Sequence, residues 1–356
     1  MPVSSMPVDF LIIGQGMAGS LLAWSLIKAG YSVHIVDNNH AHSSSVVAAG
    51  LINPLAGKRL VKPDDCVHYL QQLQATYSGF ETYFSRQFYF PVEMLRFMKE
   101  ASQQDFLKKR QADPAYSDLI AEVFSADEDT KPLVNRFGGC IQQQTGYLDI
   151  PALLTSLNRF FHGQNIIDQY RVDYDEIKLE DQRVKYKQLE ASFCIFCEGY
   201  QATANPWFKW LPFQPAKGEI LTIEADQLQT EKIINRSNWL IPIGNNQFRT
   251  GSTNSWEFTD DAPTESGKKE IENNLTNLFI HTPEYKVVNH QAGVRPATRD
   301  KNPFIGFHPG FSQLGIFNGF GARGSLTIPW YSRIFTESIN QQRSLPTTVD
   351  IRRFHS

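Results

Sequence analysis

The stretch VDFLIIGQGMAGSLLAWSLIKAGYSVHIVD, residues 8–37, decides the fold. Its opening run, residues 8–14, is short, apolar and bounded by glycine, the pattern of a buried parallel strand. Ala18, Leu21, Leu22, Ser25, Leu26 and Ala29 then recur with helical spacing, and Gly30 ends the helix before a second apolar run, residues 31–37. This is a βαβ opening. Its turn reads Gly14-Gln15-Gly16-Met17-Ala18-Gly19, a G-x-G-x-x-G. Gly14 permits the tight turn, Gly16 lets backbone approach a pyrophosphate at the helix N-terminus, and Gly19 lets helix and strand pack closely. Asp37 ends the second strand, where a carboxylate can accept hydrogen bonds from ribose hydroxyls and repel a 2′-phosphate. With strand, helix and acid all in place, the stretch predicts dinucleotide binding, without choosing between NAD and FAD.

Composition places few other limits. The chain has 356 residues, 41% hydrophobic and 20% charged, as expected of a globular protein with one large or two joined domains. A formal net charge of -3 gives no reason to expect nucleic-acid or membrane binding, and Lys108-Lys109-Arg110 reads as a solvated helix face. No apolar run has the length of a membrane span, and the N-terminus lacks the pattern of a secretory signal. The four cysteines, Cys66, Cys140, Cys194 and Cys197, fit a reducing cytoplasm. Cys194 and Cys197 have C-x-x-C spacing but lie in a buried-strand pattern with no second pair, so no metal site is expected.

Further along, residues 64–84 are helical, and residues 86–98 have strand character near Phe90. The charged segment 99–133 reads as surface helices and loops. A helix starts at Asp149 or Pro151, and another is capped by Thr264 or Ser266. Residues 218–225 and 238–253 are strands, the latter turning at Gly244-Asn245-Asn246. An antiparallel block near 206–295 thus interrupts an α/β chain.

A second glycine cluster, NGFGARGSLTIP (318–329), follows the segment GVRPATRDKNPFIG (293–306). With SSSVVAAGLINP (43–54), YRVDYDEIKL (170–179) and CIFCEGY (194–200), these motifs resemble the D-amino-acid oxidase and glycine oxidase family of FAD-dependent oxidoreductases, along the whole chain. The late motifs look particularly similar to the oxidase half of the bifunctional enzymes that modify a wobble uridine of tRNA. The resemblance implies an α/β fold with a Rossmann-like FAD-binding domain (1–85, 150–205 and 296–356). An inserted antiparallel-sheet substrate domain takes residues 86–149 and 206–295.

It implies non-covalent FAD, contacted by Gly14, Gly16, Met17, Ala18, Gly19 and Asp37, then by Ser44, Ser45, Ala49, Gly50 and Leu51. Val172 would meet the adenine through its backbone, and Gly199 would lie beside the cofactor, although Cys197 replaces the family's alanine. Gly321, Ala322, Arg323, Gly324, Ser325 and Leu326 would close over the flavin ring, the helix N-terminus directing N–H groups at its polar edge. Lys217 and Glu219 depart from the family's P-x-R-G-Q segment and receive no role.

The implied reaction is oxidation of a primary or secondary amine on the α-carbon of a small amino acid or N-substituted glycine, giving an imine. Arg295 would bind the substrate carboxylate through its planar guanidinium, or else form a structural pair with Asp300 or another acid. Arg323 would bind that carboxylate, stabilise charge on the reduced flavin, or anchor its loop. Tyr147 and His290 stay unassigned. Two alternatives stand beside this reading: action on a carboxymethylaminomethyl uridine of tRNA, and a non-catalytic FAD-binding module. The electron acceptor and oligomeric state are not legible.

Overall fold

The computed structural model describes residues 7–39, 43–55, 57–126, 128–180, 182–236 and 238–355. Residues 1–6, part of the N-terminus expected to lack a secretory signal, lie outside them. The chain forms two compact units, Met1–Ala48, Ile150–Ala216 and Val294–Ser356 in the first, Ala49–Asp149 and Lys217–Gly293 in the second.

The first unit is built on the strand Val8–Ile13, which pairs in parallel with Val33–Asp37 on one side and Leu189–Phe196 on the other. Ile167–Gln169 extends the sheet beyond Val33–Asp37. Phe311–Asn318 joins Leu189–Phe196 in parallel, with Cys194 opposite Leu314. The interior strands are apolar on both faces because the sheet is covered on both, so Leu11, Phe196, Leu314 and Ile316 are fully buried. Each such side chain contributes roughly 1.5–3 kcal/mol.

The helices Met17–Lys28 and Gly324–Ile339 pack against each other, Ser25 Oγ lying 2.9 Å from Thr336 Oγ1 and 3.4 Å from the Ser332 carbonyl oxygen to which it donates. Ser25 is eight residues past Met17 and Ser332 eight past Gly324. The helices therefore start side by side, each after a glycine loop that leaves the sheet at a strand's carboxyl end, where open α/β sheets bind ligands.

The second unit holds almost all of a largely antiparallel sheet of eight strands, ordered Lys286–Arg295, Ala216–Glu224, Gln247–Gly251, Trp239–Gly244, Ile233–Asn235, Met94–Phe97, Gly139–Gln142 and Ile120–Phe124. One face packs on the helix Glu265–Thr276 through Ile271 and Leu275. The opposite face carries Ala49, Met94, Tyr147, Ile233 and Ile241. A small sheet of Leu51–Ile52, Gly146–Leu148 and Tyr89–Pro91 completes the unit. The expected hairpin is present, with Asn245 and Asn246 at φ 52° and 56°, the left-handed pair of a two-residue turn.

The units differ from the expected domain boundaries in three places, the smallest being Val294 and Arg295, which fall in the first unit. Residues 49–85 belong to the second unit, because Leu51–Ile52 pairs with Gly146–Leu148 and Cys66 packs with Leu55, Leu60 and Met98. Residues 206–216 belong to the first, where Phe208 and Leu211 enter its core. The segment 99–133 also contains a strand, Ile120–Phe124, besides the helix Ser102–Gln111. No helix among the described residues is long and apolar enough to cross a membrane.

Candidate active site

The early glycine loop has the tolerances that its spacing implies. Gly14 sits at φ 102°, and a Cβ there would come within 2.6 Å of the Cys197 carbonyl oxygen. A Cβ on Gly19 would lie 1.9 Å from the Gly14 carbonyl oxygen. Asp37 accepts a hydrogen bond from the Gln15 backbone N–H at 2.7 Å, tying the end of the second strand to the loop. Gln15 is fully buried, its Oε1 accepting from Asn158 Nδ2 at 2.6 Å, so the loop is held from behind. Gly16 caps the helix without a side chain, and the Met17 N–H donates to Ser45 Oγ at 3.1 Å. Ser44 and Ser45 begin the short helix Ser44–Val47. The serine segment is thereby joined to the helix N-terminus within the first unit. Ser43 Oγ beside it is buried with no hydrogen-bond partner among the described residues.

In the second unit, Gly50 has φ 71°, and a Cβ would sit 2.0 Å from the Leu148 carbonyl oxygen. Ala49 is buried and Leu51 packs against the same apolar face. Val172 packs on the first unit's core, and Gly199, at φ 60°, has its carbonyl held by Asn318 Nδ2 at 2.9 Å.

The two late motifs meet in the first unit. The Gly321 N–H donates to the Pro296 carbonyl at 3.3 Å, and a Cβ on Gly319 would lie 2.7 Å from Thr298 Cγ2. Gly321–Arg323 forms one 3-10 turn that runs into Gly324–Ile339, leaving Ala322 exposed and Ser325 and Leu326 buried. Arg323 Nε and Nη2 are buried and have no hydrogen-bond partner among the described residues. Buried cationic donors of this kind call for an acceptor from outside the chain. With Ser43 and the glycine cradle, they fit an anionic dinucleotide or its substrate.

Arg295 ends the strand Lys286–Arg295, and burial holds its pKa below the ordinary arginine value without threatening its charge. Asp300, one of the acids expected as a structural partner, pairs with Arg353 at 2.9 Å. His290 Nε2 lies 2.8 Å from Glu219 Oε2. Glu219 also accepts from the Thr264 N–H and hydroxyl at the start of the helix Glu265–Thr276, so this pair has a capping role. Cys194 and Cys197 are free and buried, and burial raises both thiols well above their usual pKa, which suits packing and not redox chemistry.

Sequence reasoning missed two charged residues. Arg249 lies on the inner strand Gln247–Gly251, where an arginine directly after Phe248 was the available signal. Glu198 stands between Cys197 and Gly199; its carboxylate accepts from Tyr174 Oη at 2.7 Å and Asn205 Nδ2 at 2.9 Å. Burial pushes its pKa up to about 7, against those two hydrogen bonds. Because the folded value is raised, the protonated form favours folding. That contribution is intact below about pH 4.5 and is lost as pH rises through about 7. Between pH 5 and 8 the protein is expected to lose on the order of 2–3 kcal/mol relative to Glu198→Gln. Urea unfolding of both proteins at pH 5, 6.5 and 8 measures it, and parallel pH profiles would refute the assignment.

The comparisons with known proteins match this architecture. A glycine oxidase of Pseudomonas aeruginosa is 25% identical over 128 residues, 36% of this chain and 35% of its own length. A bifunctional tRNA 5-methylaminomethyl-2-thiouridine biosynthesis protein of Legionella pneumophila is 23% identical over 400 residues, covering 97% of this chain. The chain thus spans 35% and 56% of the lengths of these two relatives. The crystal structure of glycine oxidase from Geobacillus kaustophilus shares the fold with a TM-score of 0.82 over 96% of both chains, at 16% identity. The protein-family model described as "DAO: FAD dependent oxidoreductase" matches residues 9–338, and the chain belongs to that family of FAD-dependent oxidoreductases.

Proposed function

We propose that the protein oxidises the amine on the α-carbon of a small amino acid or N-substituted glycine to an imine. The observation that carries this reading is the joining of the Arg295 motif to the glycine cluster that bears Arg323. Bound FAD supplies the acceptor for the hydride of the substrate Cα–H. The chain does the rest. Gly14–Gly19 with Asp37, Ser44 and Ser45 hold the pyrophosphate and ribose end, and Val172 and Gly199 flank the adenosine half. Ala49, Gly50 and Leu51 lie along the ring, while Gly321–Leu326 bring backbone N–H groups to its polar edge.

Arg295 orients the carboxylate by a two-pronged hydrogen bond, which fixes Cα relative to the ring. Arg323 supplies positive charge where negative charge binds or develops. No general base is assigned, since a neutral amine needs none for hydride loss. The cofactor is held without a covalent bond: Cys66, Cys140, Cys194 and Cys197 are all buried thiols. Their reduced state fits a cytoplasmic setting.

The purified protein should be yellow. Anaerobic mixing with glycine, sarcosine, other N-alkyl glycines or D-amino acids should bleach the flavin absorbance, whatever the natural electron acceptor. A flavin that none of them reduces would overturn the proposal. The alignment over 97% of this chain favours a second reading, the same chemistry on a carboxymethylaminomethyl uridine of tRNA. Tight binding of tRNA that weakens steeply with salt would select it.

A further inference from the structure

Cys197 continues the strand Leu189–Phe196 at its carboxyl end, its N–H donating to the Ile13 carbonyl at 2.7 Å. There the chain packs directly against the early glycine loop. A Cβ on Gly14 would lie 2.6 Å from the Cys197 carbonyl oxygen and 3.5 Å from Glu198 Cα, and one on Gly19 would lie 3.2 Å from Cys197 Cβ. Glu198 therefore abuts the loop expected to receive the pyrophosphate. Its neighbour Gly199 is tied to Asn318, just ahead of the second glycine cluster.

A carboxylate in this place opposes the anion that a glycine loop at a helix N-terminus is suited to hold. Glu198 as a whole is half-buried, with its carboxyl group enclosed. Its two hydrogen-bond partners, Tyr174 Oη and the buried Asn205 Nδ2, are both neutral, and it forms no ion pair among the described residues. The titratable groups that face it are Tyr174 and the thiols of Cys194 and Cys197, all kept uncharged by burial. Arg171 acts on Tyr174, and Asp37 is engaged with the Gln15 N–H. Both forms of the carboxyl suit the surroundings. Ionised, it accepts from both partners; protonated, one oxygen still accepts from Asn205 while the other can donate to the Tyr174 hydroxyl oxygen.

We propose that Glu198 couples retention of the cofactor to a proton: FAD is held with this carboxyl protonated, and its ionisation loosens the hold of the glycine loop on the pyrophosphate. The proton comes from solvent and returns there, and no bond of the cofactor changes. Glu198 is a positioning residue, and the inference needs the FAD of this family but no particular substrate. A like charge within roughly 10 Å moves a carboxyl by about one pH unit at the effective dielectric of a protein. Bound FAD thus raises the Glu198 pKa above its value of about 7. Affinity is greatest below about pH 7, falls as pH rises through it, and levels off about one unit higher.

The full-length FAD-loaded protein, diluted at a series of pH values between about 6 and 9, releases flavin that is measured by its recovered fluorescence. The dissociation constant should rise about tenfold across the series. Glu198→Gln, which keeps a neutral side chain of the same shape, should retain the low-pH affinity throughout, with circular dichroism as evidence of folding. Tyr174→Phe removes a hydrogen bond that favours the ionised carboxylate, so its rise should be displaced to higher pH. This second variant decides the matter if Glu198→Gln does not fold. A native dissociation constant that is constant with pH overturns the proposal. So does a rise that persists unaltered in Glu198→Gln, or in Tyr174→Phe where Glu198→Gln does not fold. None of these outcomes depends on whether an amine reduces the flavin, so the proposal and the amine-oxidation reading fail separately.

Discussion

Arg295→Ala is expected to lower kcat/KM for carboxylate-bearing amines by roughly 10³-fold, about 4 kcal/mol, while the protein stays yellow. The size follows from geometry. A guanidinium removed from most of its water binds a carboxylate through two charge-assisted hydrogen bonds, and that grip also fixes the reacting Cα. Its removal therefore affects both binding and orientation. Arg295→Lys should recover only part of the loss, since an ammonium keeps the charge but not the fork. The measurement is rapid-reaction flavin reduction alongside an FAD binding titration. If FAD affinity fell by the same factor as turnover, Arg295 would be a structural arginine.

The second large effect is expected at Gly19. A Cβ placed 1.9 Å from the Gly14 carbonyl oxygen cannot be accommodated by a side-chain shift, because the obstructing atom is backbone of the loop itself. Gly19→Ala should displace the turn that approaches the pyrophosphate, weaken FAD binding by roughly 100-fold or more, about 3 kcal/mol, and yield nearly colourless protein. Gly163→Ala is the control, since a Cβ there meets nothing within 4 Å. Flavin-to-protein absorbance ratios after gel filtration report the outcome. Full loading of Gly19→Ala would show that the helix start does not depend on this contact.

The features most legible in the sequence are those whose cause is local. A glycine at φ 102° beside a strand end, an Asn-Asn hairpin and a threonine-capped helix each depend on a few adjacent residues. The unit boundaries were less legible because they depend on partners far away in sequence. Residues 49–85 go with the second unit through pairing to 146–148, which no local pattern of the segment reports. The strand Ile120–Phe124 was hidden by its charged surroundings, with Glu122 exposed on an edge strand.

At the site, the glycines and Arg295 could be read because motif spacing carries them. Arg249 and Glu198 could not. Both matter through desolvation and through neighbours distant in sequence, such as Tyr174 beside Glu198 and Tyr147 beside Arg249. His290, by contrast, is tied to Glu219 beside a helix cap, a structural role that its isolated place in the sequence did not disclose.

The order in which the strands of the first unit are made has a consequence for biosynthesis. The Gly14–Gly19 loop leaves the ribosome well before its neighbour strand Leu189–Phe196 and the strand Phe311–Asn318 that leads to the second glycine cluster. At roughly 5–20 residues per second, the interval is on the order of tens of seconds. Throughout it, the early loop has no partner to complete the cradle. Capture of the cofactor from both sides thus waits until Phe311–Asn318 and the glycine cluster after it have been made. A shortage of flavin would then be felt only once both glycine loops have been synthesised.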